Sequence, residues 1–127
     1  MSLRPSFRAF AAALVGASAV GALCAVTAFA GPAKGTAAAG QVVFKTKCVV
    51  CHKANGSGGF KLTGNPTPNW LLKKTWDATR TDDFLRDCIA NGKTKSGMVA
   101  WGKTNQLKPQ QIEDLIVYIK TFKATAK

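Results

Sequence analysis

Cys48, Cys51 and His52 stand in the order Cys-x-x-Cys-His, and this pentapeptide holds the residues best suited to chemistry. Two thiols spaced by two residues on a helical turn can each bond one vinyl group of a porphyrin. The histidine after them is then placed to ligate the iron, so the stretch reads as the attachment site of a c-type haem. His52 is the only histidine in the chain, and no other imidazole competes for the role. Of the two methionines, Met1 lies in a segment expected to be removed, which leaves Met98 as the thioether. One histidine and one methionine are the ligand pair of an electron-transfer haem. Two other chemistries use the same residue types. A structural zinc site needs four ligands; Cys48, Cys51, His52 and Cys88 would be the whole supply, and adjacent Cys51 and His52 reach one metal awkwardly. A thioredoxin-like pair wants a strand–helix–strand surround, and the sequence shows none.

The first thirty residues have the form of a secretory signal. Arg4 and Arg8 supply the positive start, no charge occurs from Ala9 to Ala30, and Ala28-Phe29-Ala30 is a small-x-small cleavage site. The expected division is therefore a signal peptide over 1–30 and one domain over 31–127. The apolar run is long enough to span a bilayer, so an uncleaved anchor is the competing reading. Its Ala- and Gly-rich composition favours cleavage. Cys24 would leave with the signal. Cys48 and Cys51 would be consumed by haem, and Cys88 would remain without a disulfide partner in one mature chain.

The formal charge is +12, and removal of Arg4 and Arg8 leaves about +10. Such a balance steers a protein toward acidic partners or peripheral contact with an anionic membrane. The export signal and the even spread of lysines argue against nucleic acid.

The elements that must position the site are helical. Thr36 is a candidate N-cap for a helix over 36–46, with Gly40, Val43 and Phe44 on one face. The haem motif comes directly after it. Residues 53–69 are rich in Gly and Pro and read as loop. Gly56, Gly58 and Gly59 lack the Gly-Lys-Ser/Thr of a phosphate cradle and suit a backbone folding round a haem edge. A short helix is expected over 70–74. A firmer one is expected over 82–90, capped by Thr81 and stopped by Asn91-Gly92, with Phe84, Leu85, Cys88 and Ile89 as its apolar stripe. On that stripe Cys88 reads as a small buried hydrophobe, with a reactive thiol as the alternative. Residues 93–102 form a loop carrying Met98. The last helix, expected over 109–122, starts on Pro109 and carries Ile112, Leu115, Ile116, Ile119 and Phe122 at spacings of three and four. No sustained two-residue alternation occurs, so no substantial sheet is expected.

The segment Gly40-x-x-x-Phe44-x-x-x-Cys48-x-x-Cys51-His52 resembles the opening helix and haem site of the class I monohaem cytochromes c. Gly97-Met98-Val99-Ala100-Trp101-Gly102 resembles that family's methionine loop, and the final helix matches in spacing. The resemblance covers nearly all of 31–127. It implies an all-α cytochrome c fold, a few helices wrapped around one covalently bound haem c. It also implies that Gly40 lets the first and last helices cross closely beside Tyr118. A proline carbonyl would orient the His52 ring, Pro68 in Pro68-Asn69-Trp70 or else Pro66. Trp76 and Trp101 are candidates for bonding a haem propionate, with plain core packing as their other reading. Three departures stand out. Val99 replaces the proline usual after the methionine, which could loosen the loop and its iron–sulfur bond. Lys108 replaces a serine or aspartate cap, at a cost of roughly 1 kcal/mol. Cys88 lies outside the family pattern.

The expected function is one-electron transfer in the periplasm by a monomer, without catalysis. His52 and Met98 would fill both axial positions of the iron. The partners would be redox proteins with acidic docking surfaces, such as a dehydrogenase or bc-type complex and a terminal oxidase or reductase. Two other readings remain open: a haem subunit held permanently by a dehydrogenase or oxidase complex, and a haem sensor or peroxidase in which Met98 leaves the iron. Lys45, Lys47, Lys53, Lys93, Lys95 and Lys103 flank the two motifs and are the docking candidates.

Overall fold

The structure, a computed structural model, describes residues 31–127, and the expected signal segment lies outside them. Four α-helices occur in chain order: α1 (Ala37–Lys47), α2 (Val49–His52), α3 (Asp82–Asn91) and α4 (Pro109–Thr125). Single 3-10 turns occur at Lys73–Thr75 and Thr94–Ser96. Among the described residues there is no strand, only an isolated antiparallel bridge between Lys93 and Met98. The all-α expectation holds.

Local sequence sets the helix starts. Thr36 is extended, and its hydroxyl accepts from the Ala39 amide at 3.4 Å. Thr81 caps α3 in the same way, accepting from the Phe84 amide at 3.1 Å. Each hydroxyl satisfies a donor that the first helical turn leaves free. Asp82 and Asp83 add negative charge at the positive end of α3. The start of α4 departs from expectation, because it is not bare: the Gln111 side chain reaches back and accepts from the Lys108 amide at 2.9 Å. This is one half of a capping box; a charged lysine has no lone pair with which to return the other half.

The short helix expected over 70–74 is not formed, and the chain makes one 3-10 turn at Lys73–Thr75 instead. Side chains there compete for the backbone. Asn69 Oδ1 accepts from the Leu71 amide at 3.0 Å, Thr75 donates to the Asn69 carbonyl at 2.6 Å, and Trp76 Nε1 donates to the Trp70 carbonyl at 2.8 Å. Helix α4 runs three residues past the expected end, to Thr125. The tail beyond it is tied down, with the Lys127 amide bonded to the Leu71 carbonyl at 2.9 Å.

The core lies where α1 crosses α4. Phe44 is fully buried, and Leu115, Ile116, Ile119 and Val43 pack with it. Gly40 makes the crossing possible: a Cβ there would lie 2.0 Å from the Asp114 carbonyl oxygen and 2.8 Å from Tyr118 Cβ. Asp114 itself is buried at this crossing, with Oδ1 accepting from the Thr36 amide at 2.8 Å. That bond offsets part of the cost of burying a carboxylate and ties the start of α1 to α4. Helix α3 joins α4 through Arg86, which grips Glu113 at 2.6 and 2.9 Å.

Candidate functional site

The junction of α1 and α2 presents the Cys-x-x-Cys-His residues. Cys48 ends α1, its amide bonded to the Phe44 carbonyl at 2.9 Å, and also begins α2. The single turn of α2 then carries Cys51 and His52 on a helical spacing, and the His52 amide bonds the Cys48 carbonyl at 2.9 Å. After Lys53 the chain wraps back on the motif. The Gly58 amide bonds the His52 carbonyl at 3.1 Å, and Thr67 Oγ1 donates to the Cys51 carbonyl at 2.9 Å. Gly58 is required at that return. Its φ is +55°, and a Cβ would lie 2.1 Å from the Pro68 carbonyl oxygen.

These segments enclose a cavity of about 390 Å³, within the size range of small-molecule and cofactor sites. Cys48, Cys51 and His52 line it from α2 and its approach. Pro66, Pro68 and Trp70 contribute from the wrapping loop, and Phe84, Leu85, Cys88 and Ile89 from α3. Met98 and Trp101 enter from the loop after α3, and Leu115 and Ile119 from α4. Sequence positions far apart thus converge on one mostly apolar chamber. Met98 is held by a reciprocal pair of backbone bonds with Lys93, both at 3.1 Å, and the Trp101 amide ties the loop to the Ile89 carbonyl at 3.1 Å.

The chemistry of the walls suits a large apolar group with charged edges. Burial pushes the His52 imidazole down to about 4, which keeps it neutral, the form that ligates a metal. His52 Nδ1 is buried without a hydrogen-bond partner, and the ring stacks on Trp70 at 4.6 Å between centroids, 3° from parallel. Burial, with the charge of Cys51 adding to it, pushes the Cys48 thiol up to about 11. Protonated thiol is the form that can add S and H across a vinyl bond without a further proton source. Burial also raises Cys88, although Lys93 opposes the shift. A raised thiol has less thiolate at neutral pH, which favours the inert reading of this residue.

Of the residues singled out in the sequence, Cys48, Cys51, His52, Met98, Pro66, Pro68, Trp70 and Trp101 share the cavity wall. Trp76 is not among the lining residues; its indole N–H is used by the Trp70 carbonyl, so it supports Trp70 from behind. Sequence reasoning missed Arg80. It lines the cavity, lies over the Phe84 ring at 4.5 Å, and has a buried Nε with no hydrogen-bond partner. The available signal was an arginine in a lysine-rich chain, placed immediately before the Thr81 cap. Phe60, Leu62 and Val99 line the cavity and are also exposed, which puts apolar surface at its mouth.

A helical bundle whose Cys-x-x-Cys-His turn opens onto an apolar cavity is the arrangement of a monohaem cytochrome c domain, the class to which the family match also assigns the chain. The chain belongs to a family within that class: the family model described as cytochrome C oxidase, cbb3-type, subunit III matches residues 35–119. No curated protein matches the chain. Membership of a cytochrome c family carries haem-based electron transfer as the coarse function and covalent haem c as the family's cofactor. Members are usually electron carriers rather than enzymes and are typically exported. Among the described residues no helix is long and apolar enough to cross a membrane.

Proposed function

We propose that this chain is a periplasmic one-electron carrier whose haem is bonded by Cys48 and Cys51 and ligated by His52 and Met98. The observation that carries the reading is the cavity itself, which gathers both cysteines, the single histidine and Met98 on its walls. A haem bound there would supply one-electron chemistry, with iron cycling between ferrous and ferric. His52 offers a neutral imidazole, and Met98 a soft thioether that favours the ferrous state and raises the potential. The apolar wall acts in the same direction by disfavouring extra positive charge. Arg80, whose Nε is buried without a hydrogen-bond partner, lines the same cavity and would balance a propionate. The paired Lys93–Met98 bonds do part of the work a proline at position 99 would do in holding the loop. With both residues on the iron, no position would be open to substrate.

The docking surface proposed is the cavity mouth, where the apolar Phe60, Leu62 and Val99 lie exposed and Lys47 and Lys93 are present. A partner of acidic surface fits it, and an oxidase fits the family description. That description, together with exposed apolar residues at the mouth, also favours a second reading, a haem subunit held by such an enzyme. Gel filtration of the native protein separates the two: a carrier elutes alone, a subunit with its enzyme.

Covalent attachment is tested by acid–acetone extraction, then denaturing electrophoresis and haem staining. Stain should stay with the mature band and vanish when Cys48 and Cys51 are both changed to serine. Haem that extracts freely from the wild type would overturn the proposal.

A further inference from the structure

The stack on His52 assigns Trp70 a role beyond filling the core. An imidazole bound to a metal through one nitrogen keeps one freedom, rotation about that bond. In many sites a hydrogen bond at the other nitrogen removes it. Here Nδ1 is buried and has no hydrogen-bond partner. What faces the ring instead is the Trp70 indole, 4.6 Å away and within 3° of parallel. Turning the imidazole in either sense drives one of its edges into the indole face.

Trp70 is itself fixed from several sides. It is 6 % exposed, and Phe122 stacks on it at 5.8 Å and 16°. Phe44 packs against it at 5.9 Å. Its amide bonds the Gly56 carbonyl at 2.9 Å, and its carbonyl accepts from Trp76 Nε1 at 2.8 Å. A ring so constrained can impose a plane on its neighbour, and it also keeps water from that face of the imidazole.

We infer that Trp70 is a positioning residue, setting the plane of the His52 ring by parallel stacking. The inference rests on the proposed haem site. Core packing alone would make Trp70 matter for stability. Orientation of the ligand makes it matter for the electronic asymmetry of the haem as well.

Ferric-state proton NMR of the holoprotein reads that asymmetry, because the order and spread of the haem-methyl shifts depend on the ligand plane. Trp70→Leu should change the order of the methyl shifts and lower the midpoint potential as water reaches the imidazole. Trp70→Phe, which keeps a flat ring against His52, should restore the wild-type order. An unchanged methyl pattern in Trp70→Leu, with only stability lost, overturns the proposal. If Trp70→Leu yields no holoprotein, the wild type decides. Nuclear Overhauser contacts between the Trp70 indole and His52 ring protons are expected in the ferrous state, and their absence overturns the stack. Failure of the haem reading would look different, as a protein with no covalently retained haem, and would overturn both.

Discussion

Gly40→Ala puts one methyl group into the place where α1 and α4 touch. The added carbon would lie 2.0 Å from the Asp114 carbonyl oxygen and 2.5 Å from its carbonyl carbon. Both are backbone atoms inside a helix, so no rotamer change relieves the clash. The helices must part by about 1 Å, and a gap of that size forfeits roughly a quarter to a half of each dispersion contact along the seam. The seam includes Phe44, Leu115 and Ile116, the most deeply buried side chains of the domain. Overpacking of this kind costs about 1–3 kcal/mol, and an immovable obstacle puts it at the upper end. Alanine returns up to about 1 kcal/mol through its better helix propensity. The net loss is then about 2 kcal/mol, a fall in Tm of roughly 10 °C for a domain of this size. Gly31→Ala is the control, because nothing lies within 4 Å of its added carbon. Denaturant and thermal unfolding of the holoprotein, monitored by far-UV circular dichroism, measure both. A Gly40→Ala protein as stable as the Gly31→Ala control would refute the close crossing.

Glu113→Gln should cost about 1 kcal/mol near neutral pH, since the pair with half-exposed Arg86 is bidentate but screened by solvent. Arg86 holds the Glu113 carboxyl below its ordinary value of 4.5, so this stability is present above that pH and is lost as pH falls through the folded value. Unfolding of both proteins from pH 7 to pH 3 should therefore converge on the acid side, and a difference that stays constant would contradict the assignment. Electron transfer to an acidic membrane oxidase should slow steeply between low and physiological ionic strength. Lys47→Ala should flatten that dependence in stopped-flow measurements, and a wild-type rate indifferent to salt would remove the electrostatic docking claim.

Much of this fold could be read from short stretches of sequence. Thr36 and Thr81 act on amides three residues away, so their caps were visible as local patterns. The stripe of α4 repeats within one helix, and the Cys-x-x-Cys-His turn is a single local unit. What escaped depends on distant pairing. Asp114 interrupts the apolar stripe of α4, and its burial makes sense only beside the Thr36 amide, 78 residues away. Arg80 gained meaning only when α3 folded over the cavity. Trp76 and Trp101 stood as equal candidates for a haem propionate. Trp101 lines the cavity, whereas Trp76 spends its indole N–H on the Trp70 carbonyl and sits behind the wall. The missing helix at 70–74 was lost to three side-chain bonds whose geometry no periodicity reveals.

The central claim is that His52 and Met98 are both iron ligands in a low-spin electron-transfer haem. Optical spectroscopy of the ferric holoprotein at neutral pH, wild type against Met98→Ala, tests it most directly. The wild type should show the weak long-wavelength charge-transfer band of a thioether–ferric bond and, when reduced, should not bind carbon monoxide. Met98→Ala should lose the band, bind carbon monoxide and fall in potential while keeping its covalent haem. A wild type that lacks the band and binds carbon monoxide readily would contradict the account and favour a sensor or peroxidase.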